Sequence, residues 1–424
     1  MKKLIICMAA VLGMSTAAQA QDGKIRAARY DMEEIQNYMA NKARTPKETQ
    51  EMEKLSVKVR ATLEAALENP KTKKEFANAY DMLAMLDMFA FSPYLDQVIA
   101  HQETDTTRLA ELLYSCLDNK QKAYEAEVAL APKEVLYINK NRTDVLKFRM
   151  YVAYLGQMFF QNKQFDKAVD AFDRWMKYPQ TYTILDGVDG VANDESTPQI
   201  AYFTCLCAYF GKDYDTFDKY SDLARTYTDE KEQVNQLILQ CYNDRGLTDR
   251  WLAFGKELVK EDPNANEAVM QNLLAYFFEN KKTDEAVAFA DEILALDPAN
   301  KLGNYAKGLV LMNDRKYLEA VTYFDKAIEA DPNYSDALFN AGVCYSNYGY
   351  DINDALSGKK MNQAQYKKET DKVRDEYRKA EPYFVRVQEL EPENTTKWAS
   401  RLATVYYILG DQAKQKEYEK LAGY

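Results

Sequence analysis

His101 is the one histidine of this 424-residue chain, and beyond residue 20 it carries five cysteines: Cys116, Cys205, Cys207, Cys241 and Cys344. A single imidazole cannot build a zinc cluster or a two-histidine metal site, and no glycine-rich phosphate loop accompanies it. Paired carboxylates recur along charged helical stretches, so none stands out as a glycosidase pair. Residues 180–198 gather Asp186, Gly187, Asp189, Gly190, Asp194 and Glu195. Their order lacks the alternating Asp/Asn positions and distal glutamate of a calcium loop, and it reads as a solvated acidic loop. Cys241 and Cys344 each precede a tyrosine and read as small buried residues, whereas Cys205 and Cys207 point to different helical faces and cannot easily pair. The odd count argues against a disulfide framework. This inventory points to binding rather than catalysis, with no metal and no cofactor implied.

The elements that must position a binding surface are clearest between Ala265 and Pro332. Counting back from Pro332, small or apolar residues fall at Ala327, Phe324, Ala320, Leu311 and Gly308. The same intervals from Pro298 give Ile293, Ala290, Ala286, Phe277 and Leu274, a period of 34 residues. Each copy ends in Asp-Pro and reads as two amphipathic helices. Small residues on one face let the second helix approach, large ones fill the space beside them, and the proline stops the helix.

This length, these small and aromatic positions and the terminal proline resemble the tetratricopeptide repeat. The resemblance implies an all-α fold, a right-handed α-solenoid of helix-turn-helix pairs, and a non-catalytic protein-interaction scaffold. Further copies are expected from Arg149 (Leu155, Gly156, Phe159, Phe165, Ala168, Phe172, Trp175), over 199–231, to Pro263, and after Pro332. In the copy before Pro263, Trp251 replaces the usual alanine. The copy after Pro332 is split: Leu338, Ala341, Gly342 and Tyr345 begin it, and Ala380, Phe384, Val387 and Pro392 resume it about 26 residues late. The insertion, about 349–379, is expected to hold a loop around Asp354 and then a backward, charged extension of the second helix. The last helix, Gln412 to Leu421, is mostly charged, as the end of a stack must be.

In this family the groove is lined by the first helix of each pair. The resemblance places Gln236, Gln240 and Asn243, then Gln271, Ala275 and Phe278, then Tyr305, Leu309 and Met312, then Phe339, Val343 and Ser346 along it. Amides pair with a peptide backbone or with sugar hydroxyls, and aromatic faces stack on either, so a protein or peptide partner is the leading expectation and a glycan the alternative. The same residues could instead contact neighbouring helices. No lysine or arginine occupies these twelve positions, so the basic clamp some family members use for chaperone C-termini is missing.

Composition fits this reading. Glycine (15) and proline (11) are scarce for the length, and tyrosine is common at 32, which suits helix-pair seams filled by large aromatics. A net charge of -11 disfavours nucleic acid and anionic membranes as partners. Lys2 and Lys3, an apolar run from Leu4 to Met14 and Ala18-Gln19-Ala20 read as a signal peptide cleaved after Ala20, and hence as export to the periplasm or medium. Nothing later is long and apolar enough for a transmembrane segment.

Residues 21–145 do not show the repeat clearly and read as a helical cap or degenerate repeats, with 146–424 as the repeat array. Thr45-Pro46-Lys47-Glu48 predicts a capped helix to about Glu68, and Thr72 to Glu75 caps an apolar helix from Phe76 to Phe91 that Ser92-Pro93 closes. Short helices are expected near 94–100, 105–117 and 119–130 and from Lys133.

Overall fold

The computed structural model describes residues 23–41, 45–68, 73–100, 102–130, 138–191, 194–356 and 358–424. The signal-peptide reading, His101, the Thr72 cap, the stop at Asn69-Pro70 and a helix start at Lys133 lie outside them. Among the described residues there are α-helices and short 3-10 turns and no strand. The described chain is all-α, a succession of helices that pair as its repeats imply. It divides into two compact units, 1–238 and 239–424. The division falls inside one helix, whereas the change in sequence pattern lies near 145.

The first unit contains α1 (Gly23–Ala40), α2 (Pro46–Glu68), α3 (Lys73–Ile99), α4 (Thr106–Glu127), α5 (Ile138–Gln161), α6 (Phe165–Thr181), α7 (Thr197–Gly211), α8 (Tyr214–Ala224) and the start of α9 (Lys231–Asp244). Ile25, Ala28, Met32 and Ile35 form the buried stripe of α1 and pack with Val59 and Leu63 of α2 against Met82, Leu86 and Phe89 of α3. The box at the start of α2 forms: Thr45 Oγ1 accepts from Glu48 N (3.3 Å) and Glu48 Oε2 accepts from Thr45 N (2.7 Å).

Two sequence expectations fail here. The apolar helix does not stop at Ser92-Pro93 but runs through Pro93 to Ile99. The lost backbone bond is outweighed by burial of Phe91, Leu95 and Val98, with Phe91 edge-on to Tyr151 at 5.9 Å. The expected break near 118 is also absent, because α4 is one helix. Its polar middle is buried and satisfied: Asn119 Nδ2 donates to Asp87 Oδ2 (2.9 Å) and Lys120 Nζ to Asn141 Oδ1 (2.7 Å). Lys120 is 2% exposed and lies 3.1 Å from Asp81 and 3.2 Å from Asp144.

In the acidic loop after α6 the carboxylates Asp186, Asp189 and Glu195 are exposed, as expected of a solvated loop, while its apolar residues pack inward. Tyr182, Ile184, Leu185 and Val191 are buried, and Arg142 Nε donates to Ile184 O (2.9 Å). Arg149 lies 3.6 Å from the Trp175 ring centroid and pairs with Asp194 at 2.8 Å. Pro179, off the repeat's position by one, sits inside α6. No group of His, Cys, Asp or Glu is placed to hold a metal among the described residues.

The second unit holds the end of α9, then α10 (Thr248–Glu261), α11 (Glu267–Glu279), α12 (Thr283–Leu296), α13 (Lys301–Asn313), α14 (Tyr317–Ala330), α15 (Ser335–Asp354), α16 (Gln363–Leu390), α17 (Thr395–Leu409) and α18 (Gln412–Ala422). Each pair except α15–α16 turns by the same backbone device, in which an amide just past the first helix bonds five residues back while the residue before it is left-handed. Leu247 N to Tyr242 O (2.9 Å), Lys282 N to Phe277 O (2.7 Å), Lys316 N to Leu311 O (2.8 Å) and Asp411 N to Tyr406 O (3.0 Å) make that bond. Gly246, Lys281, Arg315 and Gly410 supply the positive φ. In the first unit Lys163 and Lys212 do the same.

The seam within each pair is built from size complementarity. A Cβ on Gly308 would stand 2.5 Å from the Phe324 ring, and one on Gly342 2.9 Å from Phe384. One repeat earlier the sizes are exchanged, with Leu274 and Ala290 at those positions, both buried. Trp251 lies beside Tyr276, ring centroids 6.2 Å apart, and Gly255 faces Leu273 and Val269 of the next helix. Cys241 and Cys344 are fully buried, and none of the five cysteines beyond residue 20 forms a disulfide.

The insertion departs from expectation at its start. The first helix does not end at Gly349 but continues to Asp354, and α16 begins at Gln363, so both helices are lengthened. Gly349 permits this, since a Cβ there would meet the Tyr377 ring at 2.9 Å. Val373 and Tyr377 are buried as a result. α18 buries none of its residues, as a charged terminal helix should.

Candidate functional site

The first helices of the second unit are α11, α13, α15 and α17, together with the end of α9. The structure separates the expected groove residues into two groups. Gln240, Asn243 and Gln271 are exposed. Gln240 Nε2 donates to Asp244 Oδ1 (2.6 Å) and Gln271 Nε2 makes a long bond to Glu267 Oε1 (3.4 Å), contacts a ligand could replace. Gln236 is also exposed, donating to Glu232 at 3.0 Å, but it belongs to the first unit.

The apolar members are half-buried in seams. Tyr305 has its ring centroid 5.7 Å from Phe324 and 5.0 Å from Tyr334, and its hydroxyl accepts from Asn340 Nδ2 (3.0 Å). Burial, with Asp336 nearby, pushes its phenol up to about 12. Phe339 is edge-on to Phe384 at 5.9 Å, with the Arg401 guanidinium 5.9 Å from its centroid. Met312 and Phe339 join one apolar cluster, and Phe278 packs on the core of α11 and α12. Val343 and Ser346 are buried. Phe278, Tyr305, Met312 and Phe339 are thus only partly exposed.

Sequence reasoning missed a row of charges at the start of the first helices. Glu267, Lys301 and Ser335 recur at the 34-residue period. Lys301 Nζ lies 3.1 Å from Glu267 and 3.2 Å from Asp331. Lys397 Nζ lies 2.7 Å from Asp336, 2.8 Å from Glu391 and 3.1 Å from Ser335 Oγ. The Lys397, Ser335 and Asn394 hydrogen bonds hold the Glu391 carboxyl down at about 2. The signal was the spacing itself, read only for apolar residues.

No curated protein matches the chain. Among solved structures it is similar to the C-terminal part of a TPR repeat-containing protein from Cytophaga hutchinsonii, at 15% identity over 63% of this chain and 93% of that one, TM-score 0.37. It is also similar to the MamA protein (18%, 46% and 91%, TM-score 0.31) and to pilF of Pseudomonas aeruginosa (14%, 64% and 88%, TM-score 0.26). Family models described as tetratricopeptide repeat match residues 303–334 and 323–367, the stretch that holds the Gly308 and Gly342 seams. Residues 303–367 are thus a tetratricopeptide-repeat region, a kind of repeat that in general serves protein interaction.

Proposed function

We propose that this chain is a non-catalytic scaffold of the bacterial cell envelope that holds an extended protein or peptide segment along the first-helix face of residues 239–424. The observation that carries the reading is the exposed amide series Gln240, Asn243 and Gln271, continued by the edges of Phe278, Tyr305, Met312 and Phe339. Amides satisfy a peptide's N–H and C=O groups, and apolar edges give shallow pockets for alternate side chains. Tyr305 and Phe339 each pack against a neighbouring ring, which leaves less aromatic surface for sugar stacking and favours a peptide over a glycan. Gln236, on the other unit, is a contact in its own right.

Export rests on the sequence reading of residues 1–20, with processing after Ala20. N-terminal sequencing of the protein recovered from the envelope fraction tests it, and a chain still starting at Met1 would refute it. The partner class is tested by presenting the purified protein to envelope proteins and to a glycan array in parallel. Retention of protein that Gln271→Ala with Tyr305→Ala abolishes supports the scaffold. Retention of glycans alone, lost in the same variant, replaces it with the glycan reading.

A further inference from the structure

The α15–α16 hairpin ends in a tip rich in exposed lysines. Gly342 under Phe384 and Gly349 under Tyr377 set one antiparallel register for the two helices. In that register Asp354, the last residue of α15, stands level with Lys372. The start of α16, from Gln363 to Asp371, therefore runs past the end of its partner, and residues 363–368 are exposed without exception. That overhang is about 13 Å at the helical rise.

The overhang is ordered by its own chemistry. Asn362 Oδ1 accepts from Gln365 N (2.8 Å) and Gln365 Oε1 accepts from Asn362 N (3.0 Å), a complete capping box. Gly358, at φ +75, opens the turn before it, and Lys359 N donates to Leu356 O (3.1 Å). A helix that buries no face yet is closed this carefully presents a fixed surface.

Charge on this surface is mainly positive, with Glu369 close enough to Lys359 and Lys368 for both to favour its ionised form. Between Lys372 and Lys379 each basic residue of α16 has a carboxylate three positions back: Lys372 on Glu369 (2.8 Å), Arg374 on Asp371 (3.5 Å), Arg378 on Asp375 (2.5 Å) and Lys379 on Glu376 (2.8 Å). Lys359, Lys360, Lys367 and Lys368 are exposed and form no ion pair among the described residues. The first turn of α16 has no acidic residue, so the positive end of the helix dipole adds to theirs. Tyr366, 55% exposed, lies between the two lysine pairs in sequence. In a chain of net charge -11 this concentration of unpaired positive charge is an exception that calls for a partner of opposite sign.

We propose that this tip is a second docking site, which takes an acidic segment of a partner protein: carboxylates pair with Lys359, Lys360, Lys367 and Lys368, and an apolar side chain lies on Tyr366. The proposal rests on the scaffold reading and extends it to a contact separate from the first-helix face. An anionic membrane fits less well, because the net negative charge of the chain opposes approach to such a surface.

The test uses the full chain and a fluorescein-labelled peptide of alternating Glu and Leu, read by anisotropy. Wild type binds, and binding weakens as salt is raised. Lys359→Gln, Lys360→Gln, Lys367→Gln and Lys368→Gln together weaken it about tenfold or more, while Lys372→Gln with Arg374→Gln, which removes paired charges, changes it less than about twofold. Helical circular dichroism confirms that both variants fold. Unchanged binding in the fourfold variant, equal loss in both variants, or binding to phosphatidylglycerol vesicles without binding to the peptide overturns the proposal. Gln271→Ala with Tyr305→Ala keeps peptide binding if the tip is the site. Loss of binding in that variant and retention in the fourfold one refutes the tip and leaves the groove standing.

Discussion

Gly308 lies directly beneath the ring of Phe324, with room for no side chain between α13 and α14. Gly156 and Phe172, and Gly342 and Phe384, repeat the relationship. The partners are 16 residues apart in the first two pairs and 42 in the third, and the difference of 26 is the insertion. Extra chain entered at the far end of one hairpin and left its seam intact.

The seam makes a paired prediction. Gly308→Leu overpacks the core and costs about 1–3 kcal/mol, and Phe324→Ala leaves a cavity costing about 3–5 kcal/mol. The double variant recreates the exchange already present at Leu274 and Ala290. Urea unfolding should show it less destabilised than the sum of the singles by about 1 kcal/mol or more. Strict additivity would mean that the two sites do not share one space.

Lys120 is predicted to hold the first unit together electrostatically. Burial would raise the Asp81 pKa, but Lys120, Lys140 and Asn141 outweigh it and hold the carboxyl below its usual value, while Asp81 and Asp144 raise that of Lys120 against the effect of burial. A depressed carboxyl stabilises above its unfolded pKa of about 4 and loses that contribution as pH falls through the folded value. The raised lysine contributes below about pH 10.4 and loses its contribution at still higher pH. Lys120→Met should cost about 3–5 kcal/mol at neutral pH, since it strands two buried carboxylates, and should reduce the loss of stability below about pH 4. An unchanged acid limb in the variant would show that Asp81 is not set by Lys120.

Glu391 offers a direct titration. With its carboxyl held at about 2, carbon NMR should find it ionised throughout the mildly acid range. Lys397→Ala removes the leading hydrogen bond and should move the midpoint up toward that of ordinary glutamates. A midpoint that stays low in the variant would assign the depression to Ser335 and Asn394 instead.

The left-handed turn residues predict a gain. Lys281 adopts φ +57 in the turn that Gly246 makes one repeat earlier. Lys281→Gly removes about 1–2 kcal/mol of steric cost against about 0.5–1 kcal/mol of added chain entropy, a net stabilisation of a few tenths to about 1 kcal/mol by thermal or urea unfolding. A loss of stability would mean that Lys281 makes contacts beyond its backbone role.

The repeat period was legible in the sequence because it is carried by buried, size-restricted positions such as Ala286, Ala320 and Ala327, all fully buried. Pro93 misled because a helix stop is a local signal, and burial of Phe91 and Leu95 overrode it. The polar middle of α4 looked like a break because the short hydrogen bonds and ion pairs of Asn119 and Lys120 go to residues of α3 and α5, distant in sequence. The groove was legible as a set of positions but not as a surface. Spacing puts Tyr305 and Gln271 on equivalent sites, yet whether a side chain meets solvent depends on neighbours such as Tyr334 and Asn340 in the next repeat.

Site-specific photocrosslinking tests the central claim most directly. A benzoylphenylalanine at Gln271, on the exposed first-helix face, should capture a discrete protein in envelope preparations, while one at Ala288, exposed on the second helix α12, should not. Equal capture from both positions, or none from Gln271, would contradict a partner-binding face on the first helices.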